Sequence, residues 1–350
     1  ETTLTAPGGI TLDETTHDFV GAVTATAAGT AGSVTLVDAN DLAATVQAGM
    51  AGSIETFNTV SVTAEGALSI VEALGFDIDL TGSSVSLGAI TAEEIDPGEG
   101  DPFGGDLTVT AKSDAEDPSL ITDTLAGALL VEGETVLVAD GGITLDDADH
   151  DFVGDVTVTD GSGAISLRDA NDLTIAALTM ETDQDLTLQA GSSLDGDGVE
   201  GELSIPGLSA DDVTLIAETI TGSTVTADGD LNFTSDDAIN GDDFAFTVAG
   251  ESAFTRKVGA IALLDTDDDF GTLLTADAPS EDGAITIDLL GEQTVIARAG
   301  TPGSVTATMD VGEGILTIVA GDSGVTSSSG NGAATVTLTG TLAQIDNLLT

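Results

Sequence analysis

Gly141-Gly142-Ile143-Thr144-Leu145-Asp146-Asp147-Ala148-Asp149-His150-Asp151-Phe152-Val153-Gly154 decides the fold, because the chain has already written it once, as Gly8-Gly9-Ile10-Thr11-Leu12-Asp13-Glu14-Thr15-Thr16-His17-Asp18-Phe19-Val20-Gly21. The likeness extends outward in both directions. Glu1-Thr2 and Leu4 precede the first copy as Glu134-Thr135 and Leu137 precede the second, and Asp38-Ala39-Asn40-Asp41-Leu42 returns as Asp169-Ala170-Asn171-Asp172-Leu173. A third, decayed copy starts at Glu251-Ser252 and keeps Gly259-Ala260-Ile261-Ala262-Leu263 and Asp269-Phe270-Gly271. Repetition at this scale is the signature of stacked supersecondary units, each burying its apolar face against its neighbour.

Within the repeats one local pattern dominates: Gly, a variable residue, then apolar-polar-apolar. Gly32-Ser33-Val34-Thr35-Leu36, Gly66-Ala67-Leu68-Ser69-Ile70, Gly105-Asp106-Leu107-Thr108-Val109 and Gly163-Ala164-Ile165-Ser166-Leu167 are examples. Period-two alternation is a strand with one buried face, and the leading Gly suggests backbone freedom for the turn into it. Between Gly142 and Leu188 such strands recur at intervals that fit one coil of a parallel β-helix. Longer spacings elsewhere require loops, for which Glu93–Pro102, Asp114–Pro118 and Asp195–Gly198 are the candidates. From about residue 275 the texture changes. Ala276–Gly283 reads as a linker, and Thr294–Ala299, Val305–Met309, Gly314–Val319 and Ala334–Leu338 read as the longer strands of a β-sandwich. The expectation is therefore an all-β chain. A right-handed parallel β-helix over 1–274, with repeat copies starting near 1, 134 and 251, precedes a β-sandwich module over 275–350. Leu342–Leu349 is the best stretch for a short helix.

Composition narrows the function. The 350 residues carry 62 acidic and 5 basic side chains, a net charge of -57, yet 41% of them are hydrophobic. Acidic disordered chains lack that much Val, Ile and Leu, so a folded core is expected. A nucleic-acid partner needs a basic footprint that Lys112, Arg168, Arg256, Lys257 and Arg298 do not supply. No apolar run is long enough to span a bilayer, and an anionic membrane surface would repel the chain. Self-repulsion at this density calls for counterions. There is no cysteine, which rules out disulfides and thiolate chemistry and suits a large secreted repeat protein. Because the chain opens inside one repeat and stops at Leu348-Leu349-Thr350, it reads as a segment of something longer, with any export signal outside it.

The runs GAISLRDANDLTIAALT, DFVGDVTVTDGSG and TVAGESAFT with GAIALLDTDDDFG resemble the β-strand repeats of very large secreted proteins related to filamentous haemagglutinin. TVTLTGTLAQIDNLLT, with VGEGILTI before it, is similar to cadherin-like or immunoglobulin-like modules of giant adhesins. The resemblance implies a secreted, elongated stalk, fibre or adhesin built on a right-handed β-helix.

The chemistry the residues offer is slight. The two histidines, His17 and His150, occupy equivalent positions, and Asp268 stands there in the third copy. A residue that exchanges with Asp across repeats is a polar turn residue rather than a catalyst, and no triad, P-loop or dinucleotide fingerprint is present, so no enzyme is expected. Hard oxygen ligands in loops suit Ca²⁺. The candidates are Asp146, Asp147, Asp149 and Asp151 in the second copy, Asp195 and Asp197 in a loop, and Asp265, Asp267, Asp268 and Asp269 in the third copy. The Asp-Ala-Asn-Asp runs sit inside the coil repeat and read as Asx turns. Thr-x-Thr steps such as Thr24-Ala25-Thr26 and Thr157-Val158-Thr159 look too irregular for one continuous ladder. The functional expectation is an extracellular structural protein: a stiff acidic rod of a cell-surface fibre, sheath or surface layer that assembles with copies of itself. The alternative is an adhesin stalk whose sandwich binds glycan or another cell, and a polysaccharide-active β-helix enzyme ranks below both.

Overall fold

The computed structural model describes residues 1–29, 32–49, 58–95, 103–112, 119–123, 127–160, 162–191 and 201–234, and beyond them short stretches, almost all strand, as far as Gly340. Among the described residues there is no helix. The chain divides into two compact units, Glu1–Gln184 and Asp185–Thr350. The expected helix Leu342–Leu349, the linker Ala276–Gly283 and the loops at 96–102, 113–118 and 192–200 lie outside the described residues.

The first unit is a parallel β-helix with two columns of strands. One column stacks Thr2–Ala6, Val23–Ala27, Leu42–Ala48, Leu68–Gly75 and Val85–Ala92, each parallel to the next. There the strand divides. Ile121–Thr122 and Leu129–Val131 both pair with Val85–Ala92, and above them lie Ile143–Leu145 and Asp151–Phe152. Ile165–Asp169 follows on Ile143–Leu145. The other column stacks Ile10–Leu12, Val34–Asp38, Val60–Ala64, Ile78–Gly82, Leu107–Ala111, Thr135–Ala139, Val156–Asp160 and Leu173–Thr179.

The alternation in sequence becomes alternation in burial. Val34, Leu36, Val60, Val62, Ile78, Leu80, Leu107 and Val109 are buried without exception, while the residues between them face outward. Stacked strands repeat at about 4.8 Å, so each inward side chain lies on its counterpart in the next coil, and Leu, Val, Ile and Ala fill the interior.

The two sequence copies do not occupy the same column. Within each copy the pairing is conserved: Thr2–Ala6 pairs with Val23–Ala27 as Thr135–Ala139 pairs with Val156–Asp160. Likewise Ile10–Leu12 pairs with Val34–Leu36 as Ile143–Leu145 pairs with Ile165–Leu167. Yet Thr135–Ala139, the counterpart of Thr2–Ala6, stacks in the column that begins at Ile10. The duplication therefore spans a whole number of coils plus one half. Either sheet of the coil can hold either strand pattern, and the half-coil is the unit of repetition. Copies of one corner residue, such as His17 and His150, consequently lie on turns that leave opposite sheets.

Among the leading glycines Gly105 has the left-handed backbone (φ 75°) that turn freedom implies, whereas others act in a way the alternation pattern does not predict. Gly66 and Gly229 do not have left-handed backbone. A Cβ on Gly66 would run into Asp41 Oδ1, and one on Gly229 into Asp212 Oδ1. Their role is close approach: the corner of one coil needs the space a side chain would fill.

The second unit has three parallel columns where it is described. Leu186–Ala190, Val213–Ile216, Leu231–Thr234 and Ser252–Arg256 stack in one, Glu202–Ser204 and Thr219–Thr221 in another, and Leu208–Ala210, Thr224–Ala227 and Ala245–Val248 in a third. The first of these continues through Ile285–Leu289 to Val305–Asp310, which then pairs antiparallel with Thr335–Gly340.

Gly133 lies at a corner where an added Cβ would meet Gly104 O and Asp106 Oδ1. Overpacking at such a contact costs roughly 1–3 kcal/mol. Gly133→Ala is expected to lower unfolding stability by that amount in a urea titration, and an unchanged midpoint would show that the corner has room to spare.

Candidate functional site: the acidic corners of the coils

At each corner the chain leaves one strand and climbs to the next; some N–H groups there keep a backbone acceptor on the neighbouring coil, as Gly66 does with Asn40 O, Gly133 with Gly105 O and Gly229 with Asp211 O, while others need a side-chain acceptor. Aspartates accept them. Asp41 Oδ1 accepts Ala67 N–H at 2.8 Å, Asp106 Oδ1 accepts Glu134 N–H at 2.8 Å, and Asp212 Oδ1 accepts Asp230 N–H at 2.8 Å. In all three cases the donor follows a glycine, Gly66, Gly133 or Gly229, whose missing Cβ leaves the carboxylate its place. Asp77 Oδ1 adds a longer bond, 3.4 Å, to Asp106 N–H, so Asp77, Asp106 and Glu134 are linked upward through three consecutive coils. Burial, with the Asp106 and Asp79 carboxylates nearby, pushes the Asp77 carboxyl above its usual range. Glu reaches too far for this geometry without losing more rotamer freedom, which accounts for the preference for Asp.

The Asp-Ala-Asn-Asp runs form a second, buried staple that points the other way. Asp38 Oδ2 accepts Phe19 N–H from the coil before at 2.7 Å, and its Oδ1 accepts Asn40 N–H at 2.8 Å. Asp169 repeats the arrangement with Phe152 N–H and Asn171 N–H, both at 2.6 Å. The bond to the residue two positions on is the Asx turn expected of these runs. The next residue completes the corner: Ala39 N–H donates to His17 O at 2.8 Å and Ala170 N–H to His150 O at 2.6 Å. Both aspartates are fully buried. Burial pushes the Asp169 carboxyl up to about 7, opposed by the two N–H donors and assisted by Asp151 and Asp172.

His150 is the third element. Its ring is buried, Nδ1 accepts Leu129 N–H at 3.1 Å, and Nε2 lies 3.0 Å from Asp123 Oδ2. A backbone N–H can only donate, so Nδ1 carries the lone pair and Nε2 carries the proton that goes to Asp123. Burial lowers the His150 pKa against the pull of Asp123, Asp147 and Asp146. Asp123 Oδ2 also accepts Asp146 N–H at 2.9 Å and Asp147 N–H at 3.0 Å, so one carboxylate holds the whole turn. His17 Nδ1 is buried and has no hydrogen-bond partner among the described residues.

The candidate calcium ligands fall in and around this corner. Asp146 and Asp147 give their backbone N–H groups to Asp123, Asp147 Oδ1 accepts Asp149 N–H at 3.0 Å, and Asp151 opens the strand that pairs with Leu130–Val131. Asp195, Asp197, Asp265, Asp267, Asp268 and Asp269 lie outside the described residues. Among the described residues no group of three or more His, Cys, Asp or Glu side chains is placed to hold one ion. Asp123 escaped the sequence reading because nothing near it repeats. Asp41 and Asp212 carry a readable signal, an acid one coil before a Gly-x-apolar step, whereas the step above Asp106 is Gly133-Glu134-Thr135.

The fold and corners define a parallel β-solenoid assembled from half-coils whose turns are held by carboxylates. The chain belongs to the family described as repeats of unknown function (DUF5649), which matches residues 1–26, 77–159 and 210–277, just over half its length. The first two matched segments end at equivalent points of the two sequence copies. No curated protein matches the chain, and no solved structure does. No helix among the described residues is long and apolar enough to cross a membrane.

Asp169 supplies two expectations. Its pKa is raised in the fold, from 3.8 to about 7, so its contribution to stability is greatest at low pH and falls as pH rises through that interval. The ¹³C shift of the Asp169 carboxyl should titrate near 7, and a midpoint near the unfolded value contradicts the burial argument. Asp169→Ala leaves two N–H groups without acceptors and should cost about 2–4 kcal/mol in chemical denaturation.

Proposed function

We propose that the chain is a structural repeat protein of the cell surface: a stiff, acidic, extracellular rod that forms part of a fibre, sheath or surface layer by assembling with copies of itself. The observation that carries this reading is the stacking of parallel coils, in register along the column from Val34 to Thr110, with carboxylates fastening corners to their neighbours. In such a stack the backbone hydrogen bonds run along the stacking direction, so bending or stretching strains many bonds together. The half-coil repetition suits a mechanical element, since length grows by adding units without building a new site. The likeness of the repeats to those of secreted haemagglutinin-related proteins supports an extracellular place. The net charge of -57 makes cations part of the working environment, and Ca²⁺ at the exposed carboxylates of the Asp146–Asp151 turn is the ion we propose.

An adhesin is the second reading. What favours it is the change from parallel coils to the antiparallel pairing of Val305–Asp310 with Thr335–Gly340, a different architecture at which a glycan or another cell could be held.

Negative-stain images of the purified chain, taken with and without Ca²⁺, test both. Straight particles that join into filaments or sheets support the structural reading. Separate particles that adhere to immobilised glycans support the adhesin, and flexible or globular particles overturn the rod. Calorimetry should show saturable Ca²⁺ heat that Asp146→Asn with Asp149→Asn reduces; heat that never saturates would leave the ion as a diffuse counterion only.

A further inference from the structure

The carboxylates of the first unit crowd the corners, and the flat of one sheet is left almost uncharged. Along the column from Ile10–Leu12 to Val156–Asp160 the outward positions fall into two files, in register from coil to coil. Thr35, Ser61, Thr108 and Thr157 stand in one file, and Thr63, Thr81, Thr110 and Thr159 in the other. Val136 and Val138 fill both files in the coil between Thr108–Thr110 and Thr157–Thr159, and Asp79 is the one charged member. The Thr-x-Thr steps that look irregular in sequence are thus aligned here, because the intervening turns differ in length while the strands stack in register.

We infer that this sheet face is where two copies of the chain pack laterally, face to face. The inference rests on the proposed reading of the chain as a self-assembling rod, and it names the surface. Three observations point to a second copy as the occupant. On a molecule of net charge -57, another copy is repelled wherever carboxylates meet, and this face offers almost none. The face is flat and in register, so it meets its own copy as a sheet meets a sheet, with Thr methyls and Val side chains interdigitating at about 10 Å between sheets. Six strands of five residues and one of three, at about 3.3 Å per residue and about 4.8 Å between strands, make a face on the order of 500 Å² per copy. A two-copy contact then buries about 1,000 Å², at the threshold for a specific interface. The corner carboxylates flank the face on both sides, so association requires that they be screened. At an ionic strength of about 1 M the Debye length is near 3 Å, and the contact should form there and fail in dilute buffer.

Sedimentation velocity of the full chain, in dilute buffer and in molar salt, reads the result. The wild type should go from single copies to dimers or larger species as salt rises. Thr110→Asp with Thr159→Asp places two charges on the face and should weaken association at least tenfold in molar salt. Thr63→Asp with Thr157→Asp is a second placement on the same face, in case the first pair disturbs folding as judged by circular dichroism. Thr24→Asp with Thr144→Asp adds equal charge to the other sheet and should leave association intact. If the face variants associate as the wild type does, this face is not the contact, and the rod survives on its particle shape. If all variants lose association equally, total charge and not this face is responsible, and the inference falls. A wild type that stays single at every salt concentration overturns it as well, again without bearing on the shape of the particle.

Discussion

A coil that returns above its own start must turn sharply, and at each turn some backbone N–H groups keep a carbonyl of the neighbouring coil while others leave the ladder that satisfied them in the strand. The rest of this structure depends on how that loss is met. An unpaired buried N–H costs about 1–3 kcal/mol, and a solenoid has several turns in every coil. Here short carboxylates meet the need. Asp41, Asp106 and Asp212 reach up to the next coil, and Asp38 and Asp169 reach back to the one before. The acidity of the chain is, in part, the chemistry of its corners.

That solution constrains the residues around it. The glycine before the accepting N–H is there because Asp41 or Asp106 occupies the space of its side chain. The Asp-Phe corner is there because Asp38 and Asp169 bind the Phe N–H while the Phe side chain enters the core. His150 adds a neutral imidazole that accepts from one coil and donates to Asp123 in the same corner. Each is a turn device, and none places a nucleophile beside a base.

The half-coil offset between the two copies follows from the same economy of parts. Both sheets present the same requirement, alternate small apolar residues inward and polar residues outward, so a strand pattern duplicated into the other sheet finds an equivalent environment. Equivalent corners then face opposite ways, which spreads the carboxylate staples around the coil and leaves the sheet flats poor in charge.

Much of this was legible in the chain alone. The repeat, the period-two strands, the parallel stacking and the Asx turns at Asp38 and Asp169 all rest on local pattern, and local pattern survives folding. Asp123 was not legible, because its partners Asp146, Asp147 and His150 lie one coil away and no motif ties them to it. The glycines were legible as turn markers, and Gly105 has the left-handed backbone such a marker implies, but the reason for Gly66, Gly133 and Gly229 was not legible: backbone conformation is a property of the residue, whereas close approach is a property of the neighbour. The sequence by itself determined that the chain is a stack of β-coils with acidic turns, since alternation and repetition act within a few residues. Only the tertiary structure decided which sheet each copy enters, which carboxylate holds which corner and which threonines line up. Those are relations between coils, set by turn lengths and ladder register across twenty or more residues.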